Sequence, residues 1–428
     1  MLYIGIDLGT TCCKARLYDE TGKVLGENSI SYPLIASGKN VEQDANAWFN
    51  AVKENIKALV PFATDEIAAI SFSTQGISFV PVDKDGAPLA NAITWLDTRA
   101  ETETESLKDA FGSEYIYKKT GKPMLSVYTL PKLIWFMKNC PSVYEKAYKL
   151  LMPLDFLNFK FTGKAVTDIS MASGTMLYDI HNRKWDEELL KFSGISSLKL
   201  PDILPAGTEI GRILPQLAKE LGISAETSIV MGSQDQKLAA FGAGISEGLC
   251  TVSIGTATAI SKINATKNAG FPLFAYNDNI MFAETSISTT GAAIEWLSRV
   301  LGLSYKEMDE LARQSPKGSN GVVFDLNLSV SGSIQNLNLG ITKGDIIRAL
   351  YESIATEITN KVRQMGGANY ICVFGGGSNS DILNQILADT SGIEVCVMET
   401  AETATLGAVM LASGGVIGCS KIRRRFKC

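Results

Sequence analysis

The stretch Tyr3-Ile4-Gly5-Ile6-Asp7-Leu8-Gly9-Thr10-Thr11 runs as an apolar strand that breaks into an acid, a glycine and two hydroxyls. Each residue type has a chemical use there. The apolar run supplies a buried strand and Asp7 a hard oxygen ligand suited to Mg²⁺. Gly9 gives a backbone that can approach a phosphate, and Thr10 and Thr11 give short hydroxyl donors. Cys13 to Tyr18 then alternate, so the segment reads as a hairpin rather than a strand entering a helix. A second copy lies in the other half, where Leu249 to Ser253 lead into Ile254-Gly255-Thr256-Ala257 and a return strand from Thr258 to Ile263. Two such loops read as clasps for phosphate. A P-loop would need Gly-x-x-x-x-Gly-Lys-Ser/Thr at the mouth of a helix, and no window of the chain supplies it.

Working outward, the first half reads as strands at 2 to 7, 13 to 19 and 23 to 32, then a helix from about Asp44 to Leu59. Trp48, Val52, Ile56 and Leu59 lie along one face of that helix. Strands follow at Ile67 to Ser73 and Ser78 to Val82, joined by Thr74-Gln75-Gly76. In the second half a long helix starts after Thr342, where Thr342 and Asp345 have the spacing of a capping box. Ile346, Leu350, Ile354, Ile358 and Val362 form its apolar stripe, and Gly366-Gly367 stop it. Tyr370 to Phe374 form a strand that ends in Gly375-Gly376-Gly377-Ser378-Asn379, and a helix follows from Asp381 to Thr390. A flexible backbone beside a helix N-terminus suits a nucleotide, although a glycine turn made for tight packing has the same letters. Strands alternating with helices make this an α/β chain.

Composition excludes whole classes of function. At 428 residues and 46% hydrophobic content, two or three domains with sizeable cores are expected. A net charge of -5 argues against nucleic acid as a partner, because polyanion binding needs clustered Lys and Arg. The one basic run, Lys421 to Lys427, reads as a solvated, frayed tail. Eight cysteines without a Cys-x-x-Cys pair read as small core residues of a reducing compartment. Asp7 comes too early for a signal peptide and no apolar run is long enough to span a bilayer, so the expected location is cytoplasmic, with no membrane partner. The single histidine, His181, sits in the polar setting Asp179-Ile180-His181-Asn182-Arg183, which reads as a surface turn. A Ser-His-Asp triad or His-based zinc site would depend on it alone. Chemistry therefore rests on carboxylates, hydroxyls, backbone amides and a metal.

In order along the chain, the two Gly-Thr loops are joined by Trp95-Leu96-Asp97-Thr98-Arg99, Pro131-Lys132-Leu133-Ile134-Trp135 and Asp168-Ile169-Ser170-Met171-Ala172-Ser173. Gly232-Ser233-Gln234-Asp235-Gln236, the triple glycine and Glu402 to Ala408 follow. Together they resemble the FGGY family of carbohydrate kinases, within the actin-like, sugar-kinase and heat-shock ATPase superfamily. The resemblance implies two ribonuclease-H-like (actin-like ATPase) domains, residues 1–243 and 244–428, with a central cleft, sugar held by the first and ATP mostly by the second. It implies an ATP- and Mg²⁺-dependent kinase acting on a terminal hydroxyl of a ketose or polyol.

On that resemblance Asp235 is the candidate base, positioned to accept the proton of the attacking hydroxyl. Local sequence also allows it as an N-cap, and both can hold together. Asp7, with Asp235, is the candidate Mg²⁺ ligand. Gly9, Thr10, Thr11 and Lys14 would face the transferred phosphate, although Lys14 also fits a solvated strand position. Gly255 and Thr256 would hold the phosphate tail, and Gly376, Gly377 and Ser380 would border the adenosine. Gln75, Gly76, Trp95, Asp97 and Arg99 match positions lining the acceptor pocket, with Asp97 and Arg99 equally readable as a structural ion pair. Where familiar xylulose kinases resemble Gln-Met-His-Gly after the third strand, this chain reads Gln75-Gly76-Ile77-Ser78. It is also shorter than usual members, with the spacer between Leu339-Gly340-Ile341 and Asp345-Ile346 compressed. A homodimer is a possible assembly. The competing class is a nucleotide-dependent binding or assembly protein of the actin and heat-shock branches, which shares the loops but carries no sugar pocket.

Overall fold

The structure is a computed structural model that describes residues 1–264, 270–277, 279–327 and 331–428. The chain forms two compact units, each discontinuous in sequence. The first comprises Met1–Gly242, Phe271–Met281 and Ala404–Cys419, and the second Ala243–Gly270, Phe282–Thr403 and Ser420–Cys428. Sequence alone suggested one divide at 243/244; the chain in fact returns twice to the first unit.

In the first unit six strands lie in the order Glu209–Arg212, Ser228–Gln234, Ile67–Thr74, Leu2–Leu8, Cys12–Asp19, Val24–Ser31. The central three are parallel and the flanking pairings antiparallel. Alternation sets the faces: Ile4, Ile6 and Leu8 point into a core with Trp48, Val52 and Ile56 of the helix Ala45–Leu59, whereas Tyr3 points the other way. Asp44 caps that helix, its Oδ1 accepting from the Asn46 amide at 2.8 Å. The opposite face is covered by Leu406, Val409 and Ile417 of the returning segment, with Tyr18 and Thr405 hydroxyls 2.9 Å apart.

In the second unit the neighbours run Met281–Ile287, Thr258–Ile263, Leu249–Ile254, Tyr370–Phe374, Glu394–Met398, Ile422–Phe426. The capping box forms as the spacing suggests: the Thr342 amide donates to Asp345 Oδ2 at 2.8 Å and the Asp345 amide to Thr342 Oγ1 at 3.3 Å. The helix Lys343–Gln364 then buries Ile347, Leu350, Ile354, Ile358 and Val362, so Ile347 rather than Ile346 opens the core stripe.

One expectation is overturned. Lys421 to Lys427 is not a frayed tail: Ile422–Phe426 pairs antiparallel with Glu394–Met398, placing Arg424 opposite Val397. Open backbone groups at the sheet edge draw the segment in, and its charge is matched by acids, Arg425 to Glu394 at 2.6 Å and Arg424 to Asp381. His181 lies in a turn, exposed, with Nε2 2.8 Å from the Lys118 carbonyl. Cys13, Cys250, Cys372 and Cys396 are unbridged and buried in strands. Among the described residues no helix is long and apolar enough to cross a membrane.

Candidate active site

The parallel register of the first unit decides its chemistry. Asp7 pairs with Ser73, and Ser73 in turn with Ser233, so the three form one row across adjacent strands. Just beyond that row the strands end, and Gln75, Gly76 and Asp235 follow at the same edge. Neighbouring strands lie about 4.8 Å apart, which gathers these residues within roughly 10 Å laterally. Ligands of open α/β sheets collect at such carboxyl ends.

Bonds hold the edge in shape. Ser73 Oγ donates to Asp7 Oδ1 at 2.7 Å, and the Gln75 amide donates to the Leu8 carbonyl at 2.8 Å. The Gly9 turn closes through its own amide to the Cys12 carbonyl at 3.0 Å, while the Tyr32 hydroxyl donates to the Gly9 carbonyl at 2.5 Å. Thr10 is held from two sides: Gln43 Nε2 donates to its carbonyl at 2.6 Å and Trp95 Nε1 to its hydroxyl at 2.9 Å. Thr11 is exposed beside it, its carbonyl accepting from the Tyr32 amide at 3.0 Å. Lys14 stands directly opposite Asp7 in the hairpin and so shares its face of the sheet.

Asp235 is half-buried and opens the helix Asp235–Gly242, its Oδ1 accepting from the Gln236 amide at 2.7 Å. The strand before it is fixed by a buried carboxylate. Asp168 accepts from Ser233 Oγ at 2.8 Å and from the Ser170 and Met171 amides at 2.9 Å each. Burial nevertheless pushes the Asp168 carboxyl upward, with those bonds opposing the rise. Gly76 lies against Gln234, where an added Cβ would sit 2.9 Å from Gln234 Cγ.

The expected acceptor group divides. Gln75, Gly76 and the partly exposed Trp95 stand with the phosphate loop. Asp97 does not, because it is wholly buried with both oxygens engaged. Its Oδ2 accepts from the Val41 amide at 2.7 Å and from Arg99 Nη2 at 2.7 Å, and Oδ1 accepts from the Arg99 amide at 3.0 Å. Arg99 spends its remaining contacts on Glu42, at 2.7 Å, and on the Trp135 ring, 4.8 Å from its guanidinium carbon. The two side chains form a buried ion pair.

In the second unit Gly255, Thr256, Gly376, Gly377 and Ser380 line one pocket of about 640 Å³, within the range of small-ligand sites. Ser253 pairs with Phe374, so the Gly-Thr loop and the triple glycine leave adjacent parallel strands. Gly375 has φ +84°, a left-handed conformation, and a Cβ on Gly377 would stand 2.3 Å from Ile254 Cγ2, so only glycine fits the close approach. The carbonyls of Gly255 and Thr256 accept from the Gly291 and Ala292 amides at 3.1 and 3.0 Å, tying the loop to the helix Gly291–Leu301. Ser380 caps the helix Asp381–Ser391, and its hydroxyl donates to Asp309 Oδ1 at 2.8 Å, where the Tyr351 hydroxyl also donates at 2.9 Å. Open backbone at Gly255, beside the N-terminus of the helix Gly291–Leu301, fits a nucleotide's phosphates.

Residues 2–242 match the FGGY family of carbohydrate kinases, N-terminal domain, and residues 250–415 its C-terminal domain. The chain belongs to the FGGY family of carbohydrate kinases. This sets aside the non-kinase assembly ATPase. The chain is 29% identical to a xylulose kinase of Bacillus subtilis, over 96% of this chain and 88% of that one. It is 28% identical to a gluconokinase of the same organism, over 95% and 86%. Among solved structures, a ligand-bound xylulose kinase from Lactobacillus acidophilus superposes with a TM-score of 0.93 at 27% identity, covering 100% of this chain and 93% of that one. A gluconate kinase from L. acidophilus gives 0.91, also at 27% identity with 100% and 93% coverage. The fold is the two-domain actin-like ATPase fold, and the family uses ATP with Mg²⁺ on a small sugar substrate.

Sequence reasoning missed Gln43, Ser73, Gln234, Asp309 and Tyr351. Gln234 had a signal, as the neighbour of the candidate base at a strand end. Gln43 and Asp309 had none, since their partners lie 33 and 71 residues away.

Proposed function

We propose that this kinase phosphorylates a terminal hydroxyl of a ketose or polyol, in a cytoplasmic setting, with Asp235 as general base. The observation that carries the reading is the gathering of Asp7, Gln75 and Asp235 at the carboxyl ends of three adjacent parallel strands. Asp7 would hold Mg²⁺, its carboxylate kept as an acceptor by Ser73, with Asp235 the other candidate ligand; Mg²⁺ commonly uses one or two carboxylates plus phosphate oxygens. When bound, Mg·ATP supplies the phosphoryl group. The protein's own part is positioning and charge placement. Gly9, Thr10, Thr11 and Lys14 form the loop facing the transferred group, Gly255 and Thr256 hold the phosphate tail, and Gly376, Gly377 and Ser380 border the nucleoside. Gln75, Gly76 and Trp95 orient the acceptor, and the Asp235 carboxylate takes the hydroxyl proton as the new O–P bond forms. Similarity to xylulose and gluconate kinases supports a polyhydroxylated acceptor.

The test is a coupled ADP assay over pentuloses, hexuloses and small polyols, followed by Asp235→Ala on the best acceptor. Loss of about 10²- to 10⁴-fold in kcat, with ADP binding by calorimetry unchanged, is expected. Near-parental turnover in that variant would remove Asp235 from the base role.

A further inference from the structure

Lys132, on the helix Thr129–Asn139, is wholly buried. Its Nζ donates to the Thr94 carbonyl at 2.7 Å and to the Ile77 carbonyl at 3.1 Å. These carbonyls belong to two different loops, one leaving Gln75-Gly76 and the other entering Trp95. Thr129, three residues earlier on the helix Thr129–Asn139, adds a second bond to the Ile77 carbonyl at 2.8 Å. Trp135, three residues later, lies under the Arg99 guanidinium at 4.8 Å. Spacings of three place all three side chains on one face of the helix.

What they hold is strained. Ile77 has φ +67°, a left-handed conformation that a β-branched residue adopts only under constraint. The strain sits one residue after Gly76. Ser78 completes the junction, its hydroxyl accepting from the Trp95 amide at 3.0 Å and donating to the Gly76 carbonyl at 3.3 Å. Each donor removed from the Ile77 carbonyl weakens the hold on this strained residue, and with it on Gln75 and Gly76.

We propose that Lys132 is a positioning residue for the acceptor: the Thr129, Lys132 and Trp135 face clamps the Gln75–Ser78 and Thr94–Arg99 loops into one rigid wall. The inference rests on the acceptor reading given above. It assigns a task to the Pro131-Lys132-Leu133-Ile134-Trp135 run, which the direct site contacts left without one. A long amine is suited to it, because one Nζ serves two carbonyls from separate loops while remaining inside the core, where burial pushes its pKa down to about 7.

Lys132→Met keeps the stem and removes the donor. Amide hydrogen exchange read by mass spectrometry should show faster exchange confined to peptides spanning 75–79 and 94–98, with ADP affinity unchanged. On the best acceptor, kcat/KM should fall about 10- to 100-fold, as expected for a displacement of about 1 Å, while KM for ATP holds. Thr129→Val, which loses one of the two bonds to Ile77, should show the same pattern more weakly, and it decides the matter if the lysine variant fails to fold. Unchanged exchange in both loops, or an increase spread evenly over the first unit, would overturn the proposal. A parent protein silent with every acceptor would instead sink the substrate reading, and the exchange result would still decide this one.

Discussion

Asp97→Asn separates a structural ion pair from a sugar contact. Asp97 is fully buried, and the side chain of its partner Arg99 is 7% exposed. Breaking a buried pair by neutralising one member costs about 3–5 kcal/mol, because the other charge stays desolvated. Arg99 keeps Glu42 at 2.7 Å and the Trp135 ring, which places the cost at the lower end, about 3 kcal/mol. Asparagine can still accept from the Val41 amide through Oδ1, but its amide nitrogen then faces Arg99, donor against donor. At roughly 2–4 °C per kcal/mol for a unit of this size, the melting temperature should drop by about 6–12 °C. Circular dichroism melts with urea titrations measure this, alongside acceptor KM on the folded variant. A melting temperature within about 2 °C of the parent, together with a tenfold rise in acceptor KM, would show that the carboxylate reads substrate and that the ion-pair reasoning is wrong.

Two further outcomes follow from the same geometry. Gly377→Ala places a Cβ 2.3 Å from Ile254 Cγ2, so the glycine loop must shift away from the Gly255 hairpin. ADP affinity should weaken by about tenfold or more, as for overpacking of about 1–3 kcal/mol, and calorimetric affinity equal to the parent's would contradict the tight packing. Asp155→Asn concerns pH. Burial holds the Asp155 carboxyl well above its ordinary value of 3.8, so the folded chain keeps a proton that the unfolded chain releases. Stability from this group is intact below about pH 4 and declines as pH climbs toward the raised folded value. Asparagine retains the acceptor for the Met152 amide, now 2.8 Å from Asp155 Oδ2, and removes the titration. Urea unfolding should therefore show the variant gaining on the parent from pH 4 to pH 7; a difference that does not vary with pH would refute the assignment.

Much of the fold was legible because local rules decided it. Alternation around Gly9 and Gly255 announced both hairpins, and Thr342 with Asp345 announced the long helix. What stayed hidden depends on distant partners. Leu406, Val409 and Ile417 are plainly apolar, yet nothing in their spacing says that they cover Tyr3 and Tyr18. Arg424 and Arg425 look solvated until Asp381 and Glu394 appear beside them. Asp97 and Arg99 have the same letters whether they bind sugar or each other, and their burial and mutual bonds show only in three dimensions.

The orientation of Gln75 shows how a buried neighbour can determine what an acceptor site offers. Trp48 Nε1 can only donate, and it does so to Gln43 Oε1 at 3.1 Å, which fixes that oxygen as an acceptor. Gln43 therefore turns its Nε2 to the Thr10 carbonyl, and Gln75 must present its own Nε2 to Gln43 Oε1, at 2.9 Å. Among the described residues, the Gln75 side-chain carbonyl oxygen is left buried without a partner, as is that of Gln234 at the adjacent strand end. Each unpaired oxygen costs about 1–3 kcal/mol unless something donates to it. An indole locked in the core thus sets, through Gln43, the orientation of Gln75 at this strand edge.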